Sequence, residues 1–143
     1  MLIVLMGAPA AGKTTWLKKN MTGSEHVASS EMVRIDREID VAAYMNNMRL
    51  QGAKALAAGK DVIVDATNTI TAHRLFWLNQ AKKHGHQTKL IVFNTDLPLL
   101  LNGQKIRAYP APRSVVIKHH KNMKLANQLI KNEGWDEIIY QTR

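Results

Sequence analysis

Eight consecutive residues, Gly7-Ala8-Pro9-Ala10-Ala11-Gly12-Lys13-Thr14, have the order of a phosphate-binding loop: glycine, four residues, glycine, lysine, hydroxyl. The glycines let the backbone curl until successive N–H groups point inward, which makes an anion nest on the N-terminus of a following helix. Lys13 would reach the β- and γ-phosphates of ATP, and the Thr14 hydroxyl would be a ligand of Mg2+, with Thr15 beside it at the start of the helix. The apolar run Leu2–Met6 in front and the helical stretch behind supply the strand–loop–helix context that the motif requires.

A second carboxylate-bearing segment is Val62-Ile63-Val64-Asp65, where a buried strand ends on an acid. Open parallel sheets bind ligands beyond the carboxyl ends of their strands, so Asp65 could hold a magnesium-bound water or orient an arginine. It could equally cap the next turn. The residue after it is Ala66, not the glutamate with which many motor-type ATPases activate water, and no Asn-Lys-x-Asp element for reading guanine occurs. Transfer to an acceptor is therefore favoured over hydrolysis.

These groups need a scaffold. LIVLM, VIVD and KLIVF are short apolar or β-branched runs followed by turn or helix-start residues, as in buried parallel strands. Between them, Glu31–Ala58 has helical composition and stops at Gly59, and Thr71 is placed to cap a helix ending near Gly85. After Phe93 come LPLLLNGQKIR, a proline-punctuated turn from Tyr109 to Pro112, a long basic helix to Lys131 and a last strand in GWDEIIY. Alternating strands and helices imply an α/β domain with a mostly parallel sheet, and 143 residues, 45% of them hydrophobic, imply one domain over 1–143.

The chain has no cysteine, which removes disulfides, thiolate metal sites and cysteine nucleophiles. Its five-residue apolar start is too short to span a bilayer and lacks the basic stretch of a signal peptide, so a cytoplasmic protein without a membrane partner is expected. The net charge is +9, and the segment Thr71–Lys131 carries eleven basic residues against one acid, Asp96. Such an excess suggests a polyanionic partner, or a solvated basic face. The pairs His84/His86 and His119/His120 lack a third ligand, so zinc is not expected. Trp16, Trp77 and Trp135 read as packing residues. Tyr44 and Tyr109 could face a nucleobase, although packing is the more ordinary use of both.

With the loop, Ser29-Ser30-Glu31-Met32-Val33-Arg34 and Val62-Ile63-Val64-Asp65-Ala66-Thr67-Asn68 in view, the chain resembles the polynucleotide 5′-hydroxyl kinases of phages and their small P-loop kinase relatives. The resemblance runs from Leu2 to about Tyr140 and implies a five-stranded P-loop kinase fold with a helical lid. It implies Glu31 as general base toward the acceptor hydroxyl, where the family usually has aspartate, and Arg34 as the grip on the acceptor's phosphate. Asp36 competes with Glu31, but lies further into the expected helix. Asp65 becomes an active-site carboxylate, while Asn68 and Arg74 are read as structural. In the lid the match is weakest. Arg107 is the choice for the residue that reaches the transferring phosphate, and Lys105 or Arg113 could substitute.

The expected reaction is transfer of the γ-phosphate of ATP to the 5′-hydroxyl end of DNA or RNA, with the basic stretch Thr71–Lys131 tracking the strand. Two rivals stay open: a kinase for a nucleoside, sugar or antibiotic, and an ATP-switched nucleic-acid-binding module that phosphorylates nothing.

Overall fold

The computed structural model describes residues 1–141. Five strands, β1 (Leu2–Met6), β2 (His26–Ser29), β3 (Val62–Asp65), β4 (Thr88–Phe93) and β5 (Glu137–Gln141), form one sheet in the order β2-β3-β1-β4-β5, every neighbouring pair parallel. All four residues of β3 are buried, as a central parallel strand covered on both faces requires. The register sets Ser29 opposite Asp65 and Val4 opposite Val64, so β1, β2 and β3 end at one edge.

Among the described residues six helices cover the faces: α1 (Lys13–Asn20), α2 (Met32–Ile35), α3 (Val41–Ala57), α4 (Thr71–Lys83), α5 (Leu97–Gln104) and α6 (Arg113–Leu129), the last followed by a 3-10 turn, Ile130–Asn132. On one face Trp77, Leu78, Met48, Leu56, Met123 and Ile130 pack against Val4, Val64 and Val92; on the other Leu17, Leu100 and Val116 pack against Leu5, Ile63 and Ile91. Helix α3 comes so close to α4 that a Cβ at Gly52 would stand 2.5 Å from the Trp77 ring, so only glycine fits there without displacing the indole. Among the described residues no helix is long and apolar enough to cross a membrane.

Three local expectations need correction. The helical stretch 31–58 is two helices, because Asp36 leaves helical geometry at φ −104°, ψ 104°, and spends its Oδ1 on the Glu38 N–H at 3.0 Å. Asp40 then caps α3 by accepting from the Ala43 N–H at 3.1 Å, so two aspartates compete successfully with the helical backbone. Thr71 is the first residue of α4, not its cap, a position taken by Ile70. The basic helix closes at Leu129, two residues short of Lys131, through a tighter 3-10 turn.

Candidate active site

The phosphate loop leaves β1 at Gly7 and turns under α1 with two left-handed residues, Ala10 at φ 70° and Gly12 at φ 103°. Glycine accepts that geometry freely, whereas alanine is strained in it, and such strain gathers where a loop is shaped around a ligand. Lys13 is buried and folds back on its own loop, donating from Nζ to the carbonyls of Gly7 at 2.7 Å and Ala8 at 2.8 Å. Burial drops its pKa to about 7. The nearby Asp65 carboxylate opposes that drop, while Arg34 and Arg107 add to it.

Asp65 ends β3 and accepts from the Ser29 hydroxyl at 3.3 Å across the parallel register. Burial raises its carboxyl pKa, with Lys13 as the main opposing influence. The turn after β2 is fixed by the Ser30 N–H donating to the Asp65 carbonyl at 3.0 Å and by the Tyr44 hydroxyl donating to the Ser29 carbonyl at 2.7 Å. The Glu31 N–H donates to the Ser29 hydroxyl at 3.2 Å, which leaves its exposed carboxylate facing the cleft. Arg34 follows one turn later, its Nε buried with no hydrogen-bond partner. From the opposite side comes Arg107, in the lid loop 105–112 between α5 and α6; the buried Gln104 closes that loop by accepting from the Ala111 N–H at 2.8 Å. Half burial, then the charge of Arg34, pull the Arg107 pKa down.

These side chains share one cleft of about 510 Å³. Ala10, Gly12, Lys13, Thr14, Thr15, Glu31, Arg34, Asp65 and Arg107 line it, while Gly7, Ala8, Pro9 and Ala11 lie beneath as the buried base of the loop. Asp36, Lys105 and Arg113 do not line it. Tyr109, a candidate nucleobase contact by its residue type, lines it, as do Ser30 of the Ser29–Arg34 element and two residues the sequence did not point to, Lys18 and Ile106; for Lys18 a signal exists, since it sits one helical turn below Thr14. Ile106 is 84% exposed and Tyr109 51%, so the lid presents an apolar rim around Arg107.

Lys13, Lys18, Arg34 and Arg107 face only Glu31 and Asp65 in the cleft, a balance suited to a polyphosphate. Among the described residues no group of three or more His, Cys, Asp or Glu could hold a metal ion by itself. Magnesium commonly takes one or two protein oxygens and completes its shell with phosphate and water, and the oxygens of Thr14 and Asp65, both in the cleft lining, could serve in that way.

The charge map departs from the expected continuous track. The last turn of α4, with Lys82 and Lys83, leads to His86, whose Nδ1 lies 3.0 Å from the Met1 amino group at the strand N-termini. Gly134, shortly after Lys131, lies beside the Lys82 ammonium. These cations stand at the end of the sheet away from the cleft, because α4 and α6 run antiparallel to the strands.

Residues 2–129 match the family model described as AAA domain, and the chain belongs to that family. No curated protein matches it in sequence. Its fold is that of P-loop kinases. It is similar at TM-score 0.74 and 18% identity to a structure from the PezAT toxin–antitoxin system of Streptococcus pneumoniae, covering 99% of this chain and 66% of that one. A structure of the Pnkp1/Rnl/Hen1 RNA repair complex matches at TM-score 0.70 and 17% identity, over 89% of this chain and 45% of the other. A gluconokinase from Sinorhizobium meliloti 1021 matches at TM-score 0.64 and 14% identity, over 98% and 81%. The chain thus spans under two thirds of the first two.

Proposed function

We propose that this chain transfers the γ-phosphoryl group of ATP, with Mg2+, to the 5′-hydroxyl end of DNA or RNA. The observation that carries the reading is Arg34, a cleft arginine beside Glu31 whose buried Nε has no hydrogen-bond partner. A buried guanidinium donor left unpaired is costly unless a ligand supplies the acceptor, and a nucleotide's phosphate next to the reacting hydroxyl would do so. A neutral sugar offers it only uncharged hydroxyl acceptors, without the charge that strengthens a bond to phosphate.

The chain's residues divide the work. The loop N–H groups and Lys13 hold the β- and γ-phosphates, with Lys13 exchanging its own-loop carbonyls for phosphate oxygens. The Thr14 hydroxyl and the Asp65 carboxylate would hold the magnesium ion, which would neutralise phosphate charge. Glu31 accepts the proton as the acceptor oxygen bonds to the γ-phosphorus and the bond to the β-bridging oxygen breaks, leaving ADP. Arg107 meets the charge that builds on the transferring group. Ala66, next to Asp65 in the cleft, has no side-chain group of its own to activate water, which supports transfer over hydrolysis. The protein works in the cytoplasm in this reading.

The test is incubation with γ-labelled ATP and a panel of 5′-hydroxyl oligonucleotides, nucleosides and sugars. Label on the oligonucleotide ends is expected. Label on a neutral sugar or nucleoside and on no oligonucleotide would overturn the acceptor assignment, and ATP binding with no labelled product would leave a nucleotide switch.

A further inference from the structure

The loop between β3 and α4 lines the cleft with Ala66 and Thr67 and is held from behind by one buried guanidinium. Arg74 is 0% exposed. Its Nε donates to the Glu133 carboxylate at 3.0 and 3.2 Å, and one terminal nitrogen donates to Glu133 Oε2 at 2.7 Å and to the Thr71 hydroxyl at 3.2 Å. The other terminal nitrogen donates to the Asn68 carbonyl at 3.2 Å. Glu133 also accepts from Trp135 Nε1 at 3.0 Å, which keeps the carboxylate in place.

Asn68 in turn reaches the phosphate loop. Its backbone is left-handed at φ 50°, and its Nδ2 donates to the Leu5 carbonyl at 2.8 Å and the Ala66 carbonyl at 3.2 Å. One residue earlier, the Thr67 carbonyl accepts the Gly7 N–H at 3.0 Å. One series of hydrogen bonds therefore runs from Glu133 through Arg74 and Asn68 to the start of the phosphate loop. A buried ion pair is weak evidence of stability in itself, because desolvating both charges offsets their attraction. What the planar guanidinium adds is geometry: it fixes the carbonyl of a residue whose left-handed backbone asparagine tolerates and most other side chains do not.

We propose that Arg74 is a positioning residue: acting through Asn68, it fixes the end of β3, and with it Asp65, against the phosphate loop. The kinetic part of this inference rests on the phosphotransferase reading; the structural part does not.

Three variants separate positioning from stability: Arg74→Lys, Asn68→Gly and Glu133→Gln. The Gly7 amide, bonded to Thr67, is followed by hydrogen exchange in NMR, beside thermal midpoints and steady-state kinetics. Arg74→Lys and Asn68→Gly are expected to speed Gly7 exchange about tenfold relative to the amides of β4. They are expected to lower kcat about tenfold while KM for ATP stays within about threefold. Glu133→Gln keeps the shape around Arg74 and loses charge, so its thermal midpoint falls while Gly7 exchange and kcat hold within about twofold. Gly7 exchange unchanged in both of the first variants would overturn the proposal. So would a kcat that falls in all three in proportion to lost stability. Should Arg74→Lys not fold, Arg74→Gln takes its place beside Asn68→Gly, because glycine tolerates the left-handed backbone but keeps the carbonyl that Arg74 holds and loses only the side-chain bonds to Leu5 and Ala66. If the wild-type chain transfers no phosphate, the function reading fails, and Gly7 exchange still decides the positioning.

Discussion

Lys13 spends its charge on the loop that carries it, and this has a measurable consequence. With its pKa dropped from 10.5 to about 7, the folded chain holds fewer protons than the unfolded chain between those values, so this group makes folding stability rise with pH across that window. Phosphates arriving at Nζ favour the charged form. ATP binding near pH 8 is therefore expected to take up close to one proton, and calorimetry in two buffers of different ionisation enthalpy measures it. Lys13→Ala should bind ATP without that uptake and transfer no phosphate. The assignment of the base is equally open to test. Glu31→Gln keeps size and hydrogen bonding but cannot accept a proton, so single-turnover phosphorylation should fall by about 10²-fold or more. Asp36→Asn should stay near wild type, because the Asp36 carboxylate is occupied by the Glu38 N–H and lies off the cleft. The reverse result would move the base by five residues. The phosphate loop was readable from residue types because its chemistry needs a fixed local order. The proximity of Lys13 to Arg34 and Arg107 was not, since those three are brought together only by the sheet.

At the scale of elements, the strands were legible because a buried parallel strand leaves an unbroken apolar run, and LIVLM, VIVD and KLIVF occupy β1, β3 and β4. The break between α2 and α3 was hidden because Asp36 and Asp40 sit in a segment of helical composition, where only hydrogen-bond geometry reveals an Asx turn and a cap. Helix α6 shows a tie of the same kind. His119 shares a 2.7 Å hydrogen bond with the Thr69 hydroxyl, and Asn122 donates to that hydroxyl at 3.4 Å, so α6 is fastened to the β3–α4 loop. Burial, aided by the charges of Lys13, Lys118 and His73, lowers the His119 pKa from 6.5 to about 4. The unfolded chain therefore takes up this proton first on acidification, and stability should decline as pH falls from 6.5 toward 4. His119→Gln should flatten that part of the profile in denaturant midpoints measured at half-unit pH steps; an unchanged slope would place the acid sensitivity elsewhere. The lid that α6 carries has its own test. Arg107→Ala should lower kcat by on the order of 10³-fold with little change in oligonucleotide affinity, because the role proposed for its charge is to meet the charge that builds as the phosphoryl group moves. A defect in affinity alone would assign Arg107 to acceptor binding and leave the transferring phosphate to another lid cation.

For the whole molecule, the doubly covered parallel sheet follows from alternating apolar and helical segments, but the distribution of charge in space does not follow from its distribution along the chain. Eleven basic residues fall in the one stretch from Thr71 to Lys131, yet α4, β4, the lid, α6 and the 3-10 turn scatter them from one end of the sheet to the other. The four cations at the cleft come from three separate elements: Lys13 and Lys18 of α1, Arg34 of α2 and Arg107 of the lid. A strand whose end lies in this cleft would meet Arg34, Lys18 and the lid, and would pass far from Lys82, Lys83 and Lys131. This sets the expected salt dependence. For a single strand, log K should fall with log salt at a slope of about −0.7 for each phosphate neutralised, so a few cleft contacts give a slope near −2 to −3 rather than the steep value that the full basic segment would produce. Lys82→Ala with Lys83→Ala should leave slope and oligonucleotide affinity unchanged. Lys18→Ala should weaken binding at all sequences tested and shrink the slope by about 0.7. Fluorescence anisotropy of a labelled 5′-hydroxyl oligonucleotide across a salt series reads all of these. A slope that drops for the Lys82/Lys83 double variant as much as for Lys18→Ala would mean that the strand wraps to the far end of the sheet, and the acceptor path would have to be redrawn along α4.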